Sequence, residues 1–137
     1  MYACLFNDFL ISGDTFQVYI GSKLLFTSKK GGLLPLCEYI DRFVPHHQWV
    51  VVFDKIMGNA AALLCVKATC LEVYSPLASQ PAVKTLGRYG VRYHFTQIIL
   101  YIQQPHSEEM CPMEALSMDK SPDEFYEILR RQQYGKL

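Results

Sequence analysis

The chain has 137 residues, half of them apolar, and its 13 basic residues are matched by 13 acidic ones. This length suits one domain with one layered core, the apolar content excludes a disordered chain, and the zero net charge leaves no electrostatic footprint for nucleic acid or an anionic membrane. No apolar run approaches the roughly 18 residues of a membrane span, and the N-terminus lacks the basic start and small-residue cleavage site of a signal peptide, so a cytoplasmic protein without a membrane partner is expected.

Taken in order, Tyr2, Leu5, Phe6, Phe9 and Leu10 fall on one face of a helix, with Gly13 where a C-cap residue would sit. Residues 15–20 and 24–27 have high β-propensity and flank the turn 21–23, which predicts a hairpin. The connector Lys29-Lys30-Gly31-Gly32 leads to Leu33, Leu36, Cys37, Ile40 and Phe43 at helical spacing, in a helix that should stop before Pro45. Residues 50–53 form a continuous β-branched run, the pattern of a strand buried on both faces. After Asp54, Lys55 and Gly58, the run 60–66 is apolar on every side, which predicts a helix packed inside the domain.

The next strand is expected over 70–74, broken by Ser75-Pro76, followed by a helix from Ser79 to about residue 89. Residues 91–102 predict one strand or two short ones, and 103–110 a polar loop. A short helix should open at Cys111 with Pro112 in its first turn, and a last helix at Ser121, where Glu124 completes a capping box. The element order argues for a mixed sheet with helices on both faces, a three-layer α/β/α sandwich. The five cysteines have no paired spacing and are expected to be reduced thiols.

Several residues carry candidate chemistry. Asp54 and Lys55 end the central buried strand, and ligands in open α/β sheets bind outside the carboxyl ends of strands. Gly58 and Asn59 open the following helix, where exposed amides suit a phosphate; the structural alternative for Gly58 is close approach or a positive φ. Cys111 at a helix start would have its thiolate favoured by the dipole and so act as a nucleophile, against the plainer reading of a small half-buried hydrophobe. Glu114, three residues on, is either a capping-box partner of the Cys111 amide or a general base. Ser75 and Ser79 bracket another helix start, with Ser79 a good N-cap.

The segment 53–64, the segment Tyr74-Ser75-Pro76-Leu77-Ala78-Ser79-Gln80-Pro81, the step Arg88-Tyr89-Gly90-Val91-Arg92-Tyr93 and above all Cys111-Pro112-Met113-Glu114 resemble the prokaryotic family catalogued as domain of unknown function 1893. The resemblance implies a cytidine-deaminase-like fold, with a five-stranded mixed sheet between helices. It also implies that the helices after Gly58 and Ser79 occupy the places that hold zinc ligands in true deaminases. Such a site needs His or Cys followed by Glu, then Pro-Cys-x-x-Cys. Gly58-Asn59-Ala60 and Pro76-Leu77-Ala78-Ser79 supply none of these ligands, and His46, His47, His94 and His106 have no metal-ligand spacing, so neither zinc nor another cofactor is expected. The expectation is therefore a zinc-less protein that binds a nucleotide or related phosphorylated small molecule through Asp54, Lys55, Gly58, Asn59, Ser75 and Ser79. The alternatives are a group-transfer or hydrolytic enzyme using Cys111, with Glu114 or Asp54 moving protons, and a non-catalytic homodimeric interaction module.

Overall fold

The computed structural model describes residues 2–44 and 49–132. Pro45 and the pair His46 and His47 lie outside the described residues. Eleven elements follow one another: α1 (Tyr2–Ile11), β1 (Phe16–Ile20), β2 (Lys23–Ser28), α2 (Leu34–Phe43), β3 (Val50–Asp54), α3 (Asn59–Lys67), β4 (Cys70–Ser79), α4 (Gln80–Arg88), β5 (Arg92–Ile99), α5 (Pro112–Ser117) and α6 (Pro122–Gln132). The strands form one mixed sheet in the order β2-β1-β3-β4-β5. β1 is antiparallel to both β2 and β3, whereas β3, β4 and β5 run parallel. None of the helices is long and apolar enough, among the described residues, to cross a membrane.

β3 is buried on both faces for the reason its sequence gives: alternate side chains enter different cores. Val50 and Val52 join the larger cluster with α2, α3, α4 and α6, and Val51 and Phe53 meet Phe9 and Tyr19 under α1. Helices therefore cover both faces, but unequally, since α1 alone covers one of them. α3 is wrapped by the neighbouring helices, and its residues Ala60 to Cys65 are each at most 4% exposed, which explains an apolar run with no polar stripe. In α6 the capping box forms: the Ser121 amide donates to Glu124 Oε1 at 2.8 Å and the Glu124 amide to Ser121 Oγ at 3.1 Å.

Two local expectations need correction. α1 ends at Ile11, and Gly13 has no positive φ, so it is not a left-handed cap; its hydrogen side instead faces Lys29 Nζ, which a Cβ would meet at 3.1 Å. Ser75-Pro76 does not break β4, which continues to Ser79. β3 pairs with β4 only as far as Tyr74, and β5 pairs with Ser75 and Leu77 on either side of Pro76, so the ladder skips the proline and continues beyond it.

Candidate functional site

β3 ends at Asp54, and the chain turns through Lys55 and Ile56 into Met57, which bridges back to Ala78 of β4. This turn delivers Gly58 to the start of α3 in extended conformation, φ −86°. A Cβ on Gly58 would sit 2.9 Å from Ile102 Cγ1 and 3.1 Å from Glu114 Oε1, so the glycine is required for close approach and not for a positive φ.

Glu114 is 2% exposed and is held by backbone. Its Oε1 accepts from the Asn59 amide at 2.5 Å, and its Oε2 from the Ile102 amide at 2.6 Å. The expected capping contact with the Cys111 amide is absent, because that amide donates to the Ile102 carbonyl at 2.7 Å. Glu114 thus satisfies the first orphan amide of α3 and places a carboxylate at the positive end of that helix. It clasps α5, the segment after β5 and α3 together.

Around this clasp lies a cavity of about 500 Å³, whose wall includes Asp54, Lys55, Gly58, Cys111 and Glu114. Most of the wall is apolar, from Leu33, Pro35, Ile56, Ile102, Pro105 and Met113. The connector Lys30-Gly31-Gly32 forms one rim, and Ala60 and Ala61 of the first turn of α3 form part of the base. The first intrahelical bond of α3 runs from Ala62 to the Gly58 carbonyl, so the amides of Ala60 and Ala61 precede the ladder. Those two amides and those of Gly31 and Gly32 have no backbone partner among the described residues. Gly32 takes φ +62°, a conformation that favours glycine, just before the N-terminus of α2, whose N-cap Leu33 supplies no side-chain cap. The N-termini of α2, α3 and the short α5 therefore meet at one cavity.

Asp54 is half-buried at the cavity wall. Burial pushes its carboxyl up to about 8, against the opposing pull of the nearby Ile56 and Lys55 amides. Lys55 does not neutralise it: Lys55 Nζ donates to the Leu10 carbonyl at 3.1 Å and lies 4.8 Å from the centre of the Phe9 ring. Lys30, the other cation of the wall, is bound to Glu38 at 2.7 Å. Cys111 is half-buried, N-caps α5 without a side-chain cap bond, and shares the cavity with Asp54. α5 has only six residues, so its dipole is small.

Asn59, Ser75 and Ser79 lie outside the cavity wall, in contrast to their expected grouping with Asp54. Asn59 Nδ2 donates to the Ser117 carbonyl and hydroxyl at 3.1 and 2.9 Å, and its Oδ1 accepts from Thr85, tying α3 to α5 and α4. Ser75 is fully buried and its hydroxyl donates to the Leu77 carbonyl at 2.9 Å. Ser79, also fully buried, caps α4 by accepting from the Ala82 amide at 3.3 Å. Their polar groups are used internally. Conversely, nothing in the sequence pattern marks Gly31, Gly32 or Ile102 as cavity residues, and the paired glycines are the one available cue. Among the described residues no group of three His, Cys, Asp or Glu side chains could hold a metal ion.

The family model of a domain of unknown function, DUF1893, matches residues 6–132. Among solved structures, the crystal structure of a DUF1893 family protein (TM1506) from Thermotoga maritima is similar, with a TM-score of 0.85 and 27% identity, covering 94% of this chain and 87% of that one. No curated protein matches the chain.

Proposed function

The chain belongs to the DUF1893 family, and we propose that its cavity binds a nucleotide or related phosphorylated small molecule. The observation that carries this reading is that Gly31, Gly32, Ala60 and Ala61, whose amides have no backbone partner among the described residues, line one mostly apolar cavity at the carboxyl end of β3. Amides at helix starts favour an anion, and the apolar walls suit a flat organic body. Glu114 already occupies the Asn59 amide, so the anion belongs towards the glycine connector and the Ala60–Ala61 side, with Lys30 at the rim. In this reading the fold is cytidine-deaminase-like, with α3 and α4 starting at the same end of the sheet, but the chemistry is not zinc-dependent deamination because neither helix start supplies ligands.

The test is a thermal-shift panel of nucleoside monophosphates against the matching nucleosides, with iodoacetamide labelling of Cys111 followed by mass mapping. A stabilising monophosphate that slows labelling at Cys111 supports the reading. No shift and no protection across the panel removes it.

A second reading, a thiol-dependent group-transfer or hydrolytic enzyme, is favoured by Cys111 and Asp54 lining the same cavity. It requires turnover that Cys111→Ser abolishes while binding persists. A homodimeric interaction module is favoured by the free edge of β5, where Tyr93, Ile98 and nearby Leu100 are exposed. Sedimentation at micromolar concentration giving only the 15.7 kDa chain removes that reading.

A further inference from the structure

Asp54 is an acid placed where the protein supplies no counter-charge. The nearby amides of Lys55 and Ile56 favour its ionised form, but the Lys55 amide donates to the Thr15 carbonyl at 3.2 Å, and Asp54 enters no ion pair among the described residues. Two lysines share the wall with it, yet Lys55 is turned to Leu10 and Phe9 and Lys30 to Glu38. The carboxyl therefore retains hydrogen-bonding capacity at a mostly apolar wall, which a ligand's polar edge can take up. Glu114 does not share this property, since both its oxygens are engaged by backbone amides.

We infer that Asp54 reads an amidine-type edge on the ligand, a ring nitrogen beside an exocyclic amino group, while Ile56, Ile102 and Met113 pack against the ring. The inference rests on the reading that this cavity binds a small molecule, and adds which organic group it selects. A neutral carboxyl offers an O–H donor beside a carbonyl acceptor, which matches a neutral amidine edge. The carboxylate offers paired acceptors, which match the same edge when protonated. Both forms make the same pair of hydrogen bonds and differ only in which partner holds the proton. An ether, a methyl group or a second carboxylate in that place cannot complete the pair of hydrogen bonds with either form.

The proton balance at Asp54 bears on the choice of probe, because burial holds it largely protonated at pH 7. The charged and titratable groups around it are Lys55 at its own strand end, Lys30 of the connector, Cys111 and Glu114 across the cavity, and Cys65 of α3, which feels its charge. A probe that is always cationic must ionise Asp54, and one that is neutral need not.

The experiment compares 2-aminopyridine with 2-methylpyridine, which lacks the N–H donor, and adds benzamidine as the fixed cation, using the full chain and its Asp54→Ala and Asp54→Asn variants. Wild type should bind 2-aminopyridine about tenfold more tightly than 2-methylpyridine, and Asp54→Ala should bind the two equally. Benzamidine should bind wild type more tightly as pH rises towards 8, and Asp54→Asn about tenfold more weakly than wild type at that pH. Equal affinity of wild type for the two pyridines, or a preference that survives in Asp54→Ala, overturns the inference. If Asp54→Ala does not fold, the benzamidine comparison with Asp54→Asn decides: unchanged affinity overturns it. Ribose 5-phosphate is titrated in parallel. If it stabilises the protein and protects Cys111 while the pyridine comparison fails, the phosphate-binding reading stands and only the role of Asp54 falls; if it fails as well, both fall.

Discussion

At pH 7 the side chain of Asp54 holds a proton that an exposed aspartate would have lost, and this has a stability consequence. An unfolded aspartate titrates near 4, whereas in the fold burial raises the group to about 8. Between those values the folded state binds more protons than the unfolded state. The contribution of Asp54 is therefore fully favourable below about pH 4 and is lost as pH rises through about 8. Asp54→Asn should match wild type near pH 4, be more stable at pH 8 by about 1–3 kcal/mol, and show a flatter dependence of Tm on pH; parallel slopes would show that Asp54 is not desolvated. Glu114 gives the opposite expectation. Glu114→Gln keeps the shape but turns an N–H₂ towards either the Asn59 or the Ile102 amide, which should cost about 1–3 kcal/mol in urea unfolding. Asp54 was legible in the sequence because it terminates an apolar strand. The role of Glu114 was not, since its acceptor bonds reach 55 and 12 residues away and no local pattern encodes them.

Among the elements, α3 carries the site because three separate features hold its N-terminus open and in place. The extended Gly58 admits Ile102, Glu114 accepts the Asn59 amide, and the Asn59 side chain anchors the helix to Ser117 and Thr85. Gly58→Ala forces Ile102 and Glu114 apart and should destabilise the protein by about 1–3 kcal/mol, and its crystal structure should show Ile102 displaced. Ser79→Ala, by contrast, removes an N-cap at the start of α4 and should cost about 1 kcal/mol in urea unfolding with no effect on ligand binding. A loss of binding in that variant would contradict the internal role given to Ser79. Periodicity makes the helices and the central strand legible: residues 50–53 and 60–66 read as continuous apolar runs because β3 is buried on both faces and α3 on every side. The continuation of β4 through Pro76 was not legible, because it depends on where β3 stops and how β5 pairs. Those are facts about neighbours in the sheet, not about the residues of β4.

Across the whole molecule, the mixed order β2-β1-β3-β4-β5 puts the ends of parallel strands β3 and β4 beside the segment that returns from β5, and so assembles the cavity from residues far apart in sequence. Asp54, Gly58, Cys111 and Glu114 were separately suggestive, but their meeting follows from topology alone. The other face is less complete. α1 packs over Phe53 and Tyr74, and beyond it His94 stacks on Tyr74 at 4.2 Å and meets Glu72 at 2.5 Å, with β5 largely exposed. The strand-forming composition of residues 91–102 does not distinguish this exposed edge from a buried strand, because aromatic and β-branched residues favour either position.

The central claim is that a phosphorylated small molecule enters the cavity between the glycine connector and the start of α3. The most direct measurement is an amide-resolved ¹H–¹⁵N NMR titration with adenosine 5′-monophosphate. Saturable shifts concentrated at Gly31, Gly32, Ala60 and Ala61, with smaller changes at Asp54 and Cys111, are the predicted result. Shifts absent from these amides, or confined to β5 and α1, would contradict it.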